Sequence, residues 1–286
     1  MITFAQAIIL GLLQGFAELF PISSLGHSVI LPALLGWNID QEAPYFLVFL
    51  VATHLATALV LLGFFFVDWL LIAQGLLRIA LTRKIDPRDR YAKLGFRLVI
   101  ATVPAGLLGL IFQKKLAALF ASPHIVAVFL LLNGLLLLWV EYLTRHRRRL
   151  QTSPENADAI IARLPLSGVL LTGTAQAMAL LPGFSRTGAS IAGALYAGLD
   201  HTSAARFSFL LATPIIFAAA LLKLPILFTT PGYPLTEILA GSLAAACAAF
   251  FSIVFLTRYF KDNTLRPFGL YCIAAGGGSL LYFLFA

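Results

Sequence analysis

The sequence predicts an all-α protein that crosses a membrane several times. Three observations carry that expectation. The chain is 60% hydrophobic and only 11% charged, with mean hydropathy +0.93, where a soluble domain carries roughly 25% charged residues. Its apolar runs approach the ~20 residues that a helix needs to cross the hydrocarbon core. They are rich in Leu, Ala and Gly, and they lack the polar–apolar alternation over ~10-residue segments that marks a membrane β-barrel. The expected architecture is an inverted repeat of two halves, each a broken re-entrant helix pair followed by three transmembrane helices.

Residues from about 4 to 36 are apolar but interrupted by Pro21, Gly26 and Pro32 and by a polar cluster. Broken apolar segments of this kind are tolerated at membrane depth only where their backbone is buried in protein or lines a cavity. A polar loop (about 38–43) precedes a strong span at about 44–67. An interfacial piece near 69–81 leads to a basic loop, Arg83 to Arg90. Spans follow at about 94–112 and 125–143. The run T-R-H-R-R-R from Thr144 opens a polar connector to about Arg163. A second broken segment covers about 164–198, and spans follow at about 207–228, 236–256 and 268–286. The whole chain reads as one membrane domain: a first repeat of about 1–143, a cytoplasmic connector of about 144–163, and a second repeat of about 164–286.

The basic loops set the orientation. The formal net charge is +8, and the excess sits in the Arg83–Lys93, Arg145–Arg163 and Arg258–Arg266 segments. Read as cytoplasmic, these loops leave the first broken pair entering from outside and the second from the cytoplasm. Lys114 and Lys115 then fall on the outer side, against the rule. The same clustering explains the positive charge without a nucleic-acid partner. No basic residue precedes Arg78, so the first segment does not read as a signal peptide. Cys247 and Cys272 lie in apolar runs and read as buried free thiols.

Two matches suggest the repeat. F-L-V-A-T-H-L-A-T-A-L-V-L-L from Phe49 resembles F-L-L-A-T-P-I-I-F-A-A-A-L-L from Phe209. Upstream, P-I-S-S-L-G-H-S from Pro21 resembles P-G-F-S-R-T-G-A-S from Pro182, with one residue inserted. Inverted repeats with broken helices place a site near the bilayer midplane, between the halves.

The chemistry concentrates in those stretches. An ionisable group at membrane depth costs several kcal/mol unless it has a partner or water, so it marks a functional site. Gln14 and Glu18 are i and i+4 and share a helix face. Pro21 ends that helix, and Ser23, Ser24 and His27 follow. In the second stretch Gly183 permits an unusual turn. Ser185, Arg186, Thr187 and Ser190 then supply hydroxyls and one guanidinium at a half-helix N-terminus, a setting suited to an anion. Arginine presents a fork matched to phosphate oxygens. A phosphate cradle facing a Glu/His/Ser cluster points to phosphoryl hydrolysis. Arg186 would neutralise developing charge, a Ser or His would act as nucleophile, and Glu or His would be the acid/base. His54 matches Pro214 in the repeat and reads equally as a structural or a site residue. No His/Cys/Asp/Glu cluster has the spacing of a dedicated zinc site.

Q-G-F-A-E-L-F-P-I-S-S-L-G-H with L-P-G-F-S-R-T-G-A-S resembles the bacterial undecaprenyl-diphosphatase family, also called the bacitracin-resistance BacA/UppP family. F-S-F-L-L-A-T-P, Phe207 to Pro214, resembles it too, and the likeness covers essentially the whole chain. The resemblance implies a multi-pass enzyme of the bacterial inner membrane with its site facing the periplasm. It would remove one phosphate from undecaprenyl diphosphate, recycling the lipid carrier of peptidoglycan synthesis. Its partners would be a prenyl diphosphate lipid and membrane lipids, and a homodimer is compatible with it. The resemblance also implies support from a divalent cation, Mg²⁺ or Ca²⁺, with Glu18 the one candidate ligand. By position, Glu18, Ser24, His27 and Arg186 match the catalytic motifs. Gln14, Ser23, Ser185, Thr187 and Ser190 match the phosphate-binding positions. Gln14 stands where many members have Glu, Leu25 where Ser or Thr is common, and Ser190 where Thr is usual. The nucleophile is Ser24 or His27, with His27 favoured and Glu18 assisting. The alternative is a lipid-carrier flippase using the same site, since the inverted repeat is also a transporter feature. The other lipid-phosphatase class carries S-R-x5-H, but here Ile191 and Ala192 stand where that histidine would be.

Overall fold

A computed structural model describes residues 2–40, 43–119, 122–145, 157–223 and 234–285, with the backbone alone over 113–119 and 221–223. Most of the basic connector, residues 146–156, lies outside the described residues, as do the Lys114 and Lys115 side chains and two residues of the polar loop at 38–43. Among the described residues there are helices and no strand. The chain begins with α1 (Phe4–Leu19) and α2 (Ser24–Leu34), followed by α3 (Pro44–Phe64) and α4 (Phe66–Thr82). Next come α5 (Arg90–Leu119), α6 (Pro123–Thr144) and a one-turn α7 (Ala157–Ile161). Then follow α8 (Leu166–Ala177), α9 (Arg186–Tyr196), α10 (His201–Lys223), α11 (Leu235–Tyr259) and α12 (Arg266–Phe285).

Six of these helices are long and apolar enough to cross a membrane: α3, the Arg90–Phe112 part of α5, α6, the His201–Ala220 part of α10, α11 and α12. They are the six spans the sequence predicts. The two broken segments are the short pairs α1/α2 and α8/α9. The protein is thus an all-α, multi-pass membrane protein.

Helix ends follow local chemistry. Thr3 and Gln6 form a reciprocal capping box that starts α1, satisfying amides with no partner inside the helix. Pro21 prevents the helix from continuing. Between the helices, small residues allow close approach. A Cβ added at Gly11 would strike the Gly241 backbone, and one at Gly15 would strike Ala245. Lipid tails are as apolar as leucine, so tight van der Waals packing of this kind holds α1 on α11. The opposite face of α11 turns Leu239, Leu243 and Phe251 outward. Cys272 is buried as expected, but Cys247 lies on the outward face of α11 and is exposed. Period-3.6 placement decided that, not the hydrophobicity of the run.

At the end of the bundle that carries the basic loops, buried and half-buried charges close on one another. Arg206 of α10 donates from Nε to Asp158 Oδ1 at 2.6 Å and from Nη2 to Asp158 Oδ2 at 3.0 Å and Asp68 Oδ1 at 2.8 Å. His201 Nε2 lies 2.9 Å from Glu141 Oε2, which also accepts from Leu265 N–H at 3.2 Å. These contacts tie α4, α6, α7, α10 and the turn before α12 together.

Candidate active site

The two broken pairs bring their interrupted ends together. Ser23 caps α2, its Oγ accepting from Gly26 N–H at 3.2 Å, and Ser185 caps α9 in the same way through Gly188 N–H at 3.0 Å. The first residues of these helices, Ser24 and Arg186, therefore sit at neighbouring helix N-termini, where the partial positive charge favours anions. Ser23 holds a left-handed backbone (φ 70°), which costs a non-glycine residue about 1–2 kcal/mol. Gly183, at φ 102°, lets the second loop lie against the backbone of Val126 and Leu130. Asn133 of α6 clamps both loops. Its Nδ2 donates to Pro21 O at 3.0 Å, and its Oδ1 accepts from Ser185 N–H at 3.1 Å.

Glu18, at the end of α1, is the hub. Its Oε1 accepts from Arg186 Nη2 at 2.9 Å. Its Oε2 accepts from Ser24 Oγ at 2.6 Å and Gln14 Nε2 at 3.1 Å, and lies 3.3 Å from His54 Nε2. His54 Nδ1 is 2.7 Å from Leu50 O. A carbonyl only accepts, so Nδ1 carries a hydrogen, and a second proton on Nε2 makes the His54–Glu18 contact an ion pair. Arg186 keeps Nε and Nη1 without a partner among the described residues.

These groups line one end of a cleft of about 320 Å³. Glu18, Ser23, Ser24, His54, Ser185, Arg186 and Gln176 are its polar wall. Leu47, Leu50 and Val51 of α3, Ala105 of α5, and Ile215, Ile216 and Ala219 of α10 form its apolar wall. A charged end and an apolar flank suit an amphiphile with an anionic head.

The model of the family described as bacitracin resistance protein BacA matches residues 7–278. The chain belongs to this family. It is 45% identical to undecaprenyl-diphosphatase 2 of Chromobacterium violaceum, over 97% of this chain and 98% of that protein. It is 42% identical to the undecaprenyl-diphosphatase of Mycolicibacterium paratuberculosis, over 98% and 97%, and 44% identical to that of Gluconacetobacter diazotrophicus, over 97% and 96%.

Within this member of the BacA family, Glu18, Ser24, Arg186, Ser23 and Ser185 meet at the cleft, with Gln14 supporting Glu18 from behind. His27 does not join them. Its Nδ1 donates to Ser23 O at 2.6 Å, and its Nε2 lies 2.8 Å from the Tyr271 hydroxyl, on which the ring also stacks. With Nδ1 the donor, Nε2 accepts from Tyr271, and its lone pair is spent. The histidine brought to Glu18 is His54, reached across the fold from α3. Thr187 and Ser190 also lie off the cleft. Thr187 Oγ1 donates to Glu18 O at 2.8 Å, filling a carbonyl left open at the end of α1. Ser190 Oγ lies 2.6 Å from Ser208 Oγ and donates to Arg186 O at 2.8 Å.

The cleft is not built as a cation site. No group of three or more His, Cys, Asp or Glu side chains suited to a metal occurs among the described residues. Glu18 is the single carboxylate, both its oxygens are committed, and one is held by a guanidinium. That donor set does not fit a tightly held divalent ion, which wants several oxygen ligands.

Asn133, Tyr271 and Gln176 are neighbours of these groups that motif reading passed over, and His54, which read equally as structural or site, lies beside Glu18. The signal for Asn133 was a lone amide inside an apolar span, where an unpaired polar group is expensive.

Proposed function

We propose that this chain hydrolyses undecaprenyl diphosphate to undecaprenyl phosphate and inorganic phosphate, with Ser24 as nucleophile and Glu18 as general base. The observation that carries this reading is the 2.6 Å hydrogen bond from Ser24 Oγ to Glu18 Oε2, beside an arginine with two spare donors. A nucleophile in contact with its base, the base oriented by a third group, is the arrangement activation requires. Gln14 is that third group.

Arg186 binds the terminal phosphate through its free N–H groups. Ser24 Oγ attacks the terminal phosphorus and Glu18 takes its proton. The bond from that phosphorus to the bridging oxygen breaks, and the lipid monophosphate departs with the proton from Glu18. Water then attacks the phosphoserine. Its proton passes through Glu18 back to Ser24 Oγ, and inorganic phosphate leaves. The charge on the phosphoryl oxygens is met by Arg186 and the two helix N-termini. The prenyl chain lies along the apolar wall. A divalent ion would find Glu18 as its one carboxylate here, and every step of this scheme is carried by the chain's own residues.

The site opens to the periplasmic side of the inner membrane in this reading. The cleft lining supports it: Leu47, Leu50 and Val51 of α3 and Ile216 and Ala219 of α10 lie toward the helix ends away from Phe65 and Arg206, which meet near the basic loops. The chain acts as one domain of two related halves. The exchange of partners supports that, since α1 packs on α11 while α8 packs on α5.

The test is phosphate release from a C55 prenyl diphosphate in detergent, with and without EDTA. Wild type releases phosphate, and Ser24→Ala loses at least ~10³-fold in turnover while keeping its helical circular dichroism. Folded wild type that releases none turns the reading to a flippase. A folded Ser24→Ala that keeps its rate removes Ser24 as nucleophile.

A further inference from the structure

Gln176 is buried, with 2% exposure, and lines the cleft. Neither its Nε2 nor its Oε1 has a hydrogen-bond partner among the described residues. Burying an amide with both ends unpaired costs about 1–3 kcal/mol or more. Such a group earns its place through a ligand or leaves the structure under-satisfied.

The sequence shows where it comes from. Gly11, Gln14, Ala17, Ser23 and Gly26 match Gly173, Gln176, Ala179, Ser185 and Gly188 at one constant spacing, a register in which Pro21 falls opposite Gly183, one residue past Pro182. The structure gives these pairs equivalent surroundings. Gly11 lies against the backbone of α11 at Gly241, and Gly173 lies against the backbone of α5 at Ala101. Ser23 and Ser185 cap their helices through the same Oγ contact to the amide three residues on, although only Ser23 has a positive φ. Gln176 is therefore the second-half counterpart of Gln14. The two differ in one respect. Gln14 donates to Glu18 one turn on, whereas the position one turn after Gln176 is Leu180, which also lines the cleft. The second glutamine has lost the carboxylate that would occupy its amide.

We propose that Gln176 is a substrate-binding residue, its Nε2 donating to a non-bridging phosphoryl oxygen of the diphosphate. This rests on the hydrolase reading above and deepens it. The head group is gripped by Arg186 and the two helix N-termini and, from the helix that precedes Arg186 in the same half of the chain, by Gln176. An amide adds no charge, so it recognises phosphate oxygens without repelling the Ser24–Glu18 pair. Gln176 Oε1 accepts the hydroxyl of a protonated phosphoryl oxygen or of the attacking water.

The test uses the full chain in detergent with a C55 prenyl diphosphate, measuring kcat, KM and the thermal midpoint. Gln176→Met keeps the side-chain length and removes both polar atoms. The expected result is a 10- to 100-fold loss in kcat/KM with a thermal midpoint equal to or above wild type, because no native hydrogen bond is broken. Gln176→Leu carries the same loss should the methionine variant misfold. Gln176→Glu does not recover activity, because it cannot donate at Nε2 and would pair with Arg186. A Gln176→Met protein within twofold of wild type in kcat/KM overturns the assignment and leaves the hydrolase reading standing. So does a loss of activity that only tracks a fall in the thermal midpoint. Wild type that releases no phosphate overturns the hydrolase reading itself, and this assignment with it.

Discussion

Two half-buried arginines of this protein meet carboxylates, and they do opposite things. Arg206, at the loop end of the bundle, spends Nε and Nη2 on Asp158 and Asp68 from two other elements. Arg186, in the cleft, spends one nitrogen on Glu18 and leaves Nε and Nη1 unpartnered. Both carry the same charge at similar burial. Arg206 is a closed junction, with its fork filled by two carboxylates. Arg186 is an open one, balanced by a single carboxylate that also holds Ser24, Gln14 and His54. Removing water from a charge is costly, so an unfilled fork is retained where a ligand fills it. Spare hydrogen-bonding capacity, more than charge itself, separates a site from a staple in this fold.

That contrast can be broken by exchanging effects. Arg186→Lys keeps the charge but loses the fork, and turnover falls by about 10³-fold with the thermal midpoint little changed. Arg206→Leu leaves Asp68 and Asp158 facing each other. It lowers stability by about 3 kcal/mol, read from chemical unfolding, while turnover per folded molecule stays within threefold. If the two variants traded outcomes, the distinction would fail.

The histidines sharpen it at smaller scale. His54→Gln removes the cation beside Glu18 and lowers kcat by about 100-fold. His27→Gln acts through loop packing on Tyr271, and lowers kcat less than tenfold in the same phosphate-release assay. Equal losses from the two would return His27 to the cleft. The smallest effect belongs to Thr187→Val. It removes one hydrogen bond to the Glu18 carbonyl, costs about 1 kcal/mol of stability, and changes KM by less than threefold.

Much of this was legible in the residues. Low charge and long apolar runs set the six spans. Glu18 and Arg186 announced a site because lipid penalises both. Ser24 fell in a motif whose spacing already placed it one turn past the break at Pro21. The misplacements share a cause. His27 is near Glu18 in sequence, but α2 turns it away onto Tyr271, 244 residues distant. Thr187 and Ser190 look like phosphate ligands because hydroxyls follow Arg186, yet helical periodicity gives them to Glu18 O and to Ser208. Sequence proximity says which groups are available and not which way they point.

By itself, then, the sequence determined the helical class, the breaks at Pro21 and Pro182, and most of the polar residue types that meet at the cleft. These depend on local patterns, namely apolar run length, proline and the polar residues set inside apolar runs. Only the tertiary structure decided that His54 of α3 meets Glu18, that Asn133 of α6 clamps both loops, and that Gln176 lines the cleft with no partner among the described residues. Those contacts join elements far apart in the chain, and their geometry is set by which helix faces pack, through small residues such as Gly11 and Gly173 that let backbones touch.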